Sequence, residues 1–190
     1  MVIKKIIYLK NENKKKFTKN ILDPEGLVFY QGKFFITSEG EEKNKSPPRL
    51  LVFNLAGYYL KDIQLPSKYL PDYSLGLGRN QEKGRNGILP NLGHEGLCLL
   101  PSTPPSLLTA TEAPLAQDGL KLAGQNYSRL LKFELASNKV SAEWAYPLAL
   151  PEKTPNLVLD DLSGLSEILC LREYLVLVLE RSFLAKLGQN

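Results

Sequence analysis

A chain of 190 residues, 43% hydrophobic and 23% charged, has the material for one packed domain with a sizeable core and is excluded from the disordered and fibrous classes. The net charge of +4 is concentrated at the start: residues 1–20 carry seven lysines and one glutamate, which leaves 17 basic and 19 acidic residues elsewhere. No interleaved aromatics accompany the run Asn13-Lys14-Lys15-Lys16, so a solvated turn is expected rather than a nucleic-acid partner, and no apolar stretch reaches membrane-spanning length.

In chain order, the segment from Met1 to Tyr8 is interrupted by Lys4 and Lys5 and reads neither as a secretory signal nor as an export address; residues 1–20 are expected to supply a basic lead-in strand belonging to a preceding unit. Ile21 to Tyr30 is a predicted strand turned by Gln31-Gly32, and Lys33 to Ser38 is the next, rich in Phe and Ile. A charged loop, Glu41 to Pro48, leads to a third strand at Arg49 to Ala56 and a fourth at Tyr58 to Leu65, stopped by Pro66. After a Gly/Asn/Pro-rich insertion, Lys68 to Asn91, the pattern recurs. Strands are predicted at His94 to Leu100, Ser106 to Thr111, Ser128 to Ala136 and Val140 to Leu148, the last stopped by Pro151; a second insertion, Ala113 to Tyr127, has a short turn as its only helical signal. Leu165 to Leu171 and Glu173 to Leu179 give a further hairpin.

These pieces are copies of one unit. Glu25-Gly26-Leu27, Glu95-Gly96-Leu97 and Glu167-Ile168-Leu169 each open an apolar hairpin that ends on Glu39, Glu112 and Glu180, and the copies start 70 and 72 residues apart. RLLVFNLA in the first unit aligns with RLLKFELA in the second. Four antiparallel strands per unit is the grammar of a β-propeller blade, so the expected fold is all-β: an incomplete propeller of about three blades in one domain, with blades at 21–66 and 92–151 and a half blade at 164–183.

In such a ring the first strand of each blade lines a central channel, and Glu25, Glu95 and Glu167 converge on one end of it. Crowded carboxylates need protonation, a basic partner or a cation, and a hard cation such as calcium answers the problem directly. Glu39, Glu112 and Glu180 follow the second strands and are expected at the same mouth, with Asp118 in a loop turn as a further candidate ligand. The competing reading is structural, each Glu accepting backbone N–H groups from a neighbouring blade. Arg85 and Arg181 are candidate anion binders; for Arg181 a salt bridge to a carboxylate such as Glu180 is the favoured reading. His94 adjoins Glu95 but points to the opposite face of its strand, so packing is expected of it rather than acid–base work. Gly164-Leu165-Ser166-Glu167-Ile168 is not a nucleophile elbow. Cys98 and Cys170 stand where the first copy has Val28, which is read as a small buried apolar position with no pairing implied; two cysteines and one histidine argue against zinc.

The ordered series Asp23-Pro24-Glu25-Gly26, Ile36-Thr37-Ser38-Glu39-Gly40, Asn91-Leu92-Gly93-His94-Glu95, Thr109-Ala110-Thr111-Glu112, Gln117-Asp118-Gly119, Ser128-Arg129-Leu130-Leu131, Gly164-Leu165-Ser166-Glu167 and Leu179-Glu180-Arg181-Ser182-Phe183 resembles the phytase-like domain family, also described as "esterase-like activity of phytase". The resemblance runs from about Ile21 to Phe183. It implies a β-propeller, commonly exported, with a phosphoesterase or esterase activity; the acid series adds calcium as the expected cation and a phosphoester small molecule as the expected partner. Relatives run longer on both flanks, so a partial copy is expected, completed by the remaining blades or by a homo-oligomer. Leu89 stands where relatives carry an arginine, with Arg85 nearby but out of register, and His94 stands where they carry an aromatic. The alternative function is a non-catalytic propeller fragment that binds a ligand or a protein.

Overall fold

A computed structural model describes residues 5–19, 21–75, 86–121, 124–149 and 162–183. The expected strands form, in the expected order: β1 (Pro24–Tyr30), β2 (Lys33–Ser38), β3 (Arg49–Asn54), β4 (Tyr59–Ile63), β5 (His94–Leu100), β6 (Ser106–Thr111), β7 (Tyr127–Glu134), β8 (Lys139–Pro147), β9 (Leu162–Arg172) and β10 (Leu175–Phe183). Neighbours pair antiparallel in three sheets, β1-β2-β3-β4, β5-β6-β7-β8 and β10-β9, and no sheet closes on itself. The only helical turns among the described residues are short 3-10 segments such as Ala116–Asp118, and no helix there is long and apolar enough to cross a membrane.

The sheets stack through their first strands, β1 against β5 and β5 against β9. Because strand side chains alternate, each sheet offers one face to each neighbour. Between the first two sheets, Val28, Phe35, Leu50, Val52 and Ile63 meet Leu97, Leu107, Leu131 and Phe133 in one buried cluster. Cys98, Leu108, Ala110 and Leu148, on the other face of the second sheet, meet Ile168 with Cys170, Val176 and Val178 of the third. The outer face of the first sheet, at Ile36, Leu51 and Phe53, is covered by Leu9, Phe17 and Leu22. The described part of the lead-in thus differs from expectation. Residues 5–19 form isolated bridges rather than a strand, because the Asn11 side chain accepts from the amides of Asn13 and Lys15 and turns the chain at its lysine run.

The cysteine reading is corrected. Cys98 and Cys170 form a disulfide with Cα atoms 5.6 Å apart. Both occupy the apolar position expected, but that position falls on facing strands.

Two glycines set the spacing of the stack. A Cβ on Gly26 would lie 2.5 Å from Leu97 Cβ, and one on Gly96 would lie 2.5 Å from the Ile168 amide nitrogen. Both sit in β-bulges, Glu25-Gly26 opposite Thr37 and Glu95-Gly96 opposite Ala110, where the hairpin register shifts by one residue. In the third hairpin the unpaired residue is Ser166.

Candidate functional site

The bulges and the ends of the second strands bring carboxylates together. Glu39 follows β2, Glu95 lies in the β5 bulge and Glu112 follows β6; all three are only 8–9% exposed. One carboxylate oxygen from each lies within 4.8 Å of the others, and Glu39 is shared with a second set, Asp23 and Glu25, at the same spacing. Five acids thus form a continuous arc across the first two sheets, buried at one end and exposed at the other.

Partners on the arc are few. Glu39 Oε1 accepts the Gly93 amide at 2.8 Å, which ties the first sheet to the loop before β5. Arg181 Nη2 donates to Glu95 Oε1 at 3.2 Å and to Glu112 Oε1 at 3.1 Å. Glu112 Oε2 is buried with no hydrogen-bond partner. Burial pushes the Glu39 carboxyl up to about 7 against one amide bond that pulls it down. Burial, then the neighbouring Glu112, pushes Glu95 up to about 8, with Arg181 opposing. Glu25 is raised by burial and then by Asp23. Burial thus holds these acids toward their protonated forms, and the Gly93 amide and Arg181 oppose it only in part.

The residues present fit a hard divalent cation. The donors are all carboxylate oxygens, the set calcium and magnesium prefer, and the orphaned Glu112 oxygen lacks a partner that such an ion supplies. Arg181, with a side chain 59% exposed, balances two of the three buried acids from the solvent side.

The other sequence candidates are placed as follows. Glu167 is exposed, lies outside both sets, and accepts the Ile168 amide with Oε1. Glu180 accepts from Tyr146 Oη at 2.8 Å and the Ala149 amide at 2.6 Å, latching β10 to the end of β8. Asp118 takes a two-pronged bond from Arg129 at 2.7 and 2.9 Å. The Arg181 salt bridge forms, but to Glu95 and Glu112 rather than Glu180. Arg85 lies outside the described residues, as do Pro151 and the segment 184–190. His94 is fully buried, stacked on Tyr69 at 5.8 Å, and burial lowers it to about 4, so it packs as expected. Ser166 donates to the Leu179 carbonyl at 3.3 Å. Leu89 is buried with Leu92, Ala113 and Leu120. Asp23 was missed; its signal was its place two residues before Glu25, on the same side of the bulge.

No curated protein and no solved structure matches the chain. A family profile matches residues 1–190, over the whole length. The chain belongs to the phytase-like family, described as "esterase-like activity of phytase".

Proposed function

We propose that this phytase-like, esterase-like chain holds a calcium ion on Glu39, Glu95 and Glu112 and presents it to a phosphoester. The observation that carries the reading is the convergence of three buried carboxylates within 4.8 Å, one of them with an unpartnered oxygen. Bound there, the cation supplies Lewis-acid polarisation of a phosphoryl oxygen. The chain's own residues do the positioning. Glu39 is fixed by the Gly93 amide, Asp23 and Glu25 extend the acidic arc to solvent, and Arg181, which donates to Glu95 and Glu112 at its rim, would be at hand for an anionic oxygen of the substrate.

The three sheets are proposed to be consecutive blades of a β-propeller. The support is their repeated strand order, with the first strand of each against the first strand of the next. Known rings use about four to eight blades, so this reading requires further sheets from additional polypeptide or from a second copy.

The test is thermal unfolding with and without calcium, followed by hydrolysis of a generic phosphomonoester. A calcium-dependent rise in Tm that is lost in Glu95→Gln, together with turnover, is expected; no shift and no turnover sinks the proposal. A second reading, a non-catalytic binding module, is favoured by the burial of His94 away from the acids. It predicts a calcium shift without turnover.

A further inference from the structure

The densest positive charge of the chain lies over the outer face of the first sheet. Residues 5–19 hold six lysines, Lys5, Lys10, Lys14, Lys15, Lys16 and Lys19, against one acid, Glu12. The segment is fastened to the fold. The Lys10 amide donates to the Gly57 carbonyl at 2.8 Å, and its carbonyl accepts from the Tyr59 amide at 2.9 Å. Gly57 lets the Tyr8 carbonyl come close, since a Cβ there would lie 2.6 Å from that oxygen. Leu9 and Phe17 face inward, on Ile36, Leu51 and Phe53. Their neighbours face out. Ile6, Ile7 and Tyr8 are 68, 40 and 57% exposed, and they line one open depression together with Lys5, Lys10 and Lys16.

Among the described residues, no ion pair reaches any of these lysines. Two of them lie over rings instead: Lys16 Nζ is 3.7 Å from the Tyr8 ring centre, and Lys10 Nζ is 4.3 Å from that of Tyr58 and donates to its Oη at 3.2 Å. Such contacts keep the ammonium groups charged and hold them beside the apolar side chains. Three consecutive exposed apolar residues among unpaired lysines suit an interface that offers hydrocarbon and negative charge together. An anionic bilayer is one: isoleucine and tyrosine side chains enter the acyl boundary, while lysine stems lie along it and their ammonium groups reach the headgroups. A nucleic acid would use the lysines but not Ile6 and Ile7, and one face of each tyrosine ring, where a base would stack, already carries a lysine.

We propose that residues 5–19 dock the protein on an anionic lipid surface, with Ile6, Ile7 and Tyr8 entering the headgroup boundary and the surrounding lysines taking the lipid phosphates and carboxylates. Charge complementarity picks the lipid and the orientation. Residues 1–20 carry seven lysines and one glutamate, a local +6, against 17 basic and 19 acidic residues elsewhere, −2. The attraction therefore belongs to this face, and the rest of the chain is not drawn to the membrane. A few exposed apolar side chains and a few lysines are weak anchors singly and add when used together, so the binding is reversible and salt-dependent. None of the five acids of the arc lies in this segment, so the docking stands or falls apart from the calcium reading.

Co-sedimentation of the full chain with vesicles tests this, comparing phosphatidylcholine alone with phosphatidylcholine carrying about one-third phosphatidylserine. Binding to the anionic vesicles and not to the neutral ones is expected, and it should fall steeply as salt is raised from about 0.1 to about 0.5 M. Lys5→Gln/Lys16→Gln should weaken it on the order of tenfold, and Ile6→Ser several-fold. These side chains are exposed, so the urea midpoint should stay where it is and the loss should be read as binding alone. No sedimentation with the anionic vesicles, equal binding to neutral ones, or undiminished binding by the lysine variant overturns the proposal. Tighter binding to duplex DNA than to the vesicles at equal salt, with Ile6→Ser without effect on either, overturns it in favour of a nucleic-acid site.

Discussion

Two interfaces built from the same motif differ in what holds them. The β1–β5 contact joins two four-stranded sheets through a cluster in which Leu107, Leu131 and Phe133 are fully buried, and no covalent bond crosses it. The β5–β9 contact seats a two-stranded sheet on a smaller cluster, reinforced by a disulfide, by Arg181 and by the Glu180 latch. Packing alone holds the first, and cross-links reinforce the second. The seating follows one rule at both: an apolar residue following the bulge, Leu97 or Ile168, lies against the glycine of the preceding sheet, Gly26 or Gly96.

The largest blow to this contrast is a cavity at the first interface. Phe133→Ala is expected to cost about 4 kcal/mol, read from urea unfolding, in oxidised and reduced protein alike. Ile168→Ala at the second interface is expected to cost about 3 kcal/mol, read the same way in oxidised protein. A cost at Ile168 equal to or above that at Phe133 would erase the distinction between the interfaces.

A pH series addresses the acids that lie across the first interface. Glu39 and Glu95 keep their protons to about 7 and about 8 when folded, against 4.5 when unfolded. The folded chain therefore binds more protons across that window. Stability should be greatest below about pH 4.5 as far as these two groups go, fall as pH rises through about 7 to 8, and level off above. Calcium should flatten the fall. A urea midpoint that climbs across this window instead would mean the acids are better paired than the geometry indicates. The smallest effect is expected at the exposed face: Leu177→Lys should change stability by no more than about 0.5 kcal/mol in the same urea titration.

Strand order was legible because turn signals and apolar runs are local; RLLVFNLA and RLLKFELA both became third strands, β3 and β7. The acid arc was half legible. Repetition named Glu25, Glu95 and Glu167 first and Glu39, Glu112 and Glu180 after them; Glu25, Glu39, Glu95 and Glu112 lie on the arc, whereas Glu167 and Glu180 do not, because the bulge of β9 sits at Ser166, one residue earlier in its copy. Asp23 gave no repeat signal, and Arg181 was visible only as a charge seeking a carboxylate, since its partners come from sequence positions 86 and 69 residues away. The disulfide was hidden for a deeper reason. Counted from the glutamates, Cys98 and Cys170 look equivalent and should not meet; counted from the bulges, Cys170 matches Leu99 and faces the second sheet, where Cys98 lies, and that one-residue offset shows only in the strand register.

The cysteines are 72 residues apart, so the oxidised chain carries a covalent lasso. A single protease cut anywhere between them breaks the backbone without separating the pieces. A nicked molecule would keep its full mass in non-reducing electrophoresis and fall into two bands only after a thiol is added. Wherever such nicking occurs, the reducing power of the surroundings, rather than the cut itself, decides when the third sheet can leave the other two.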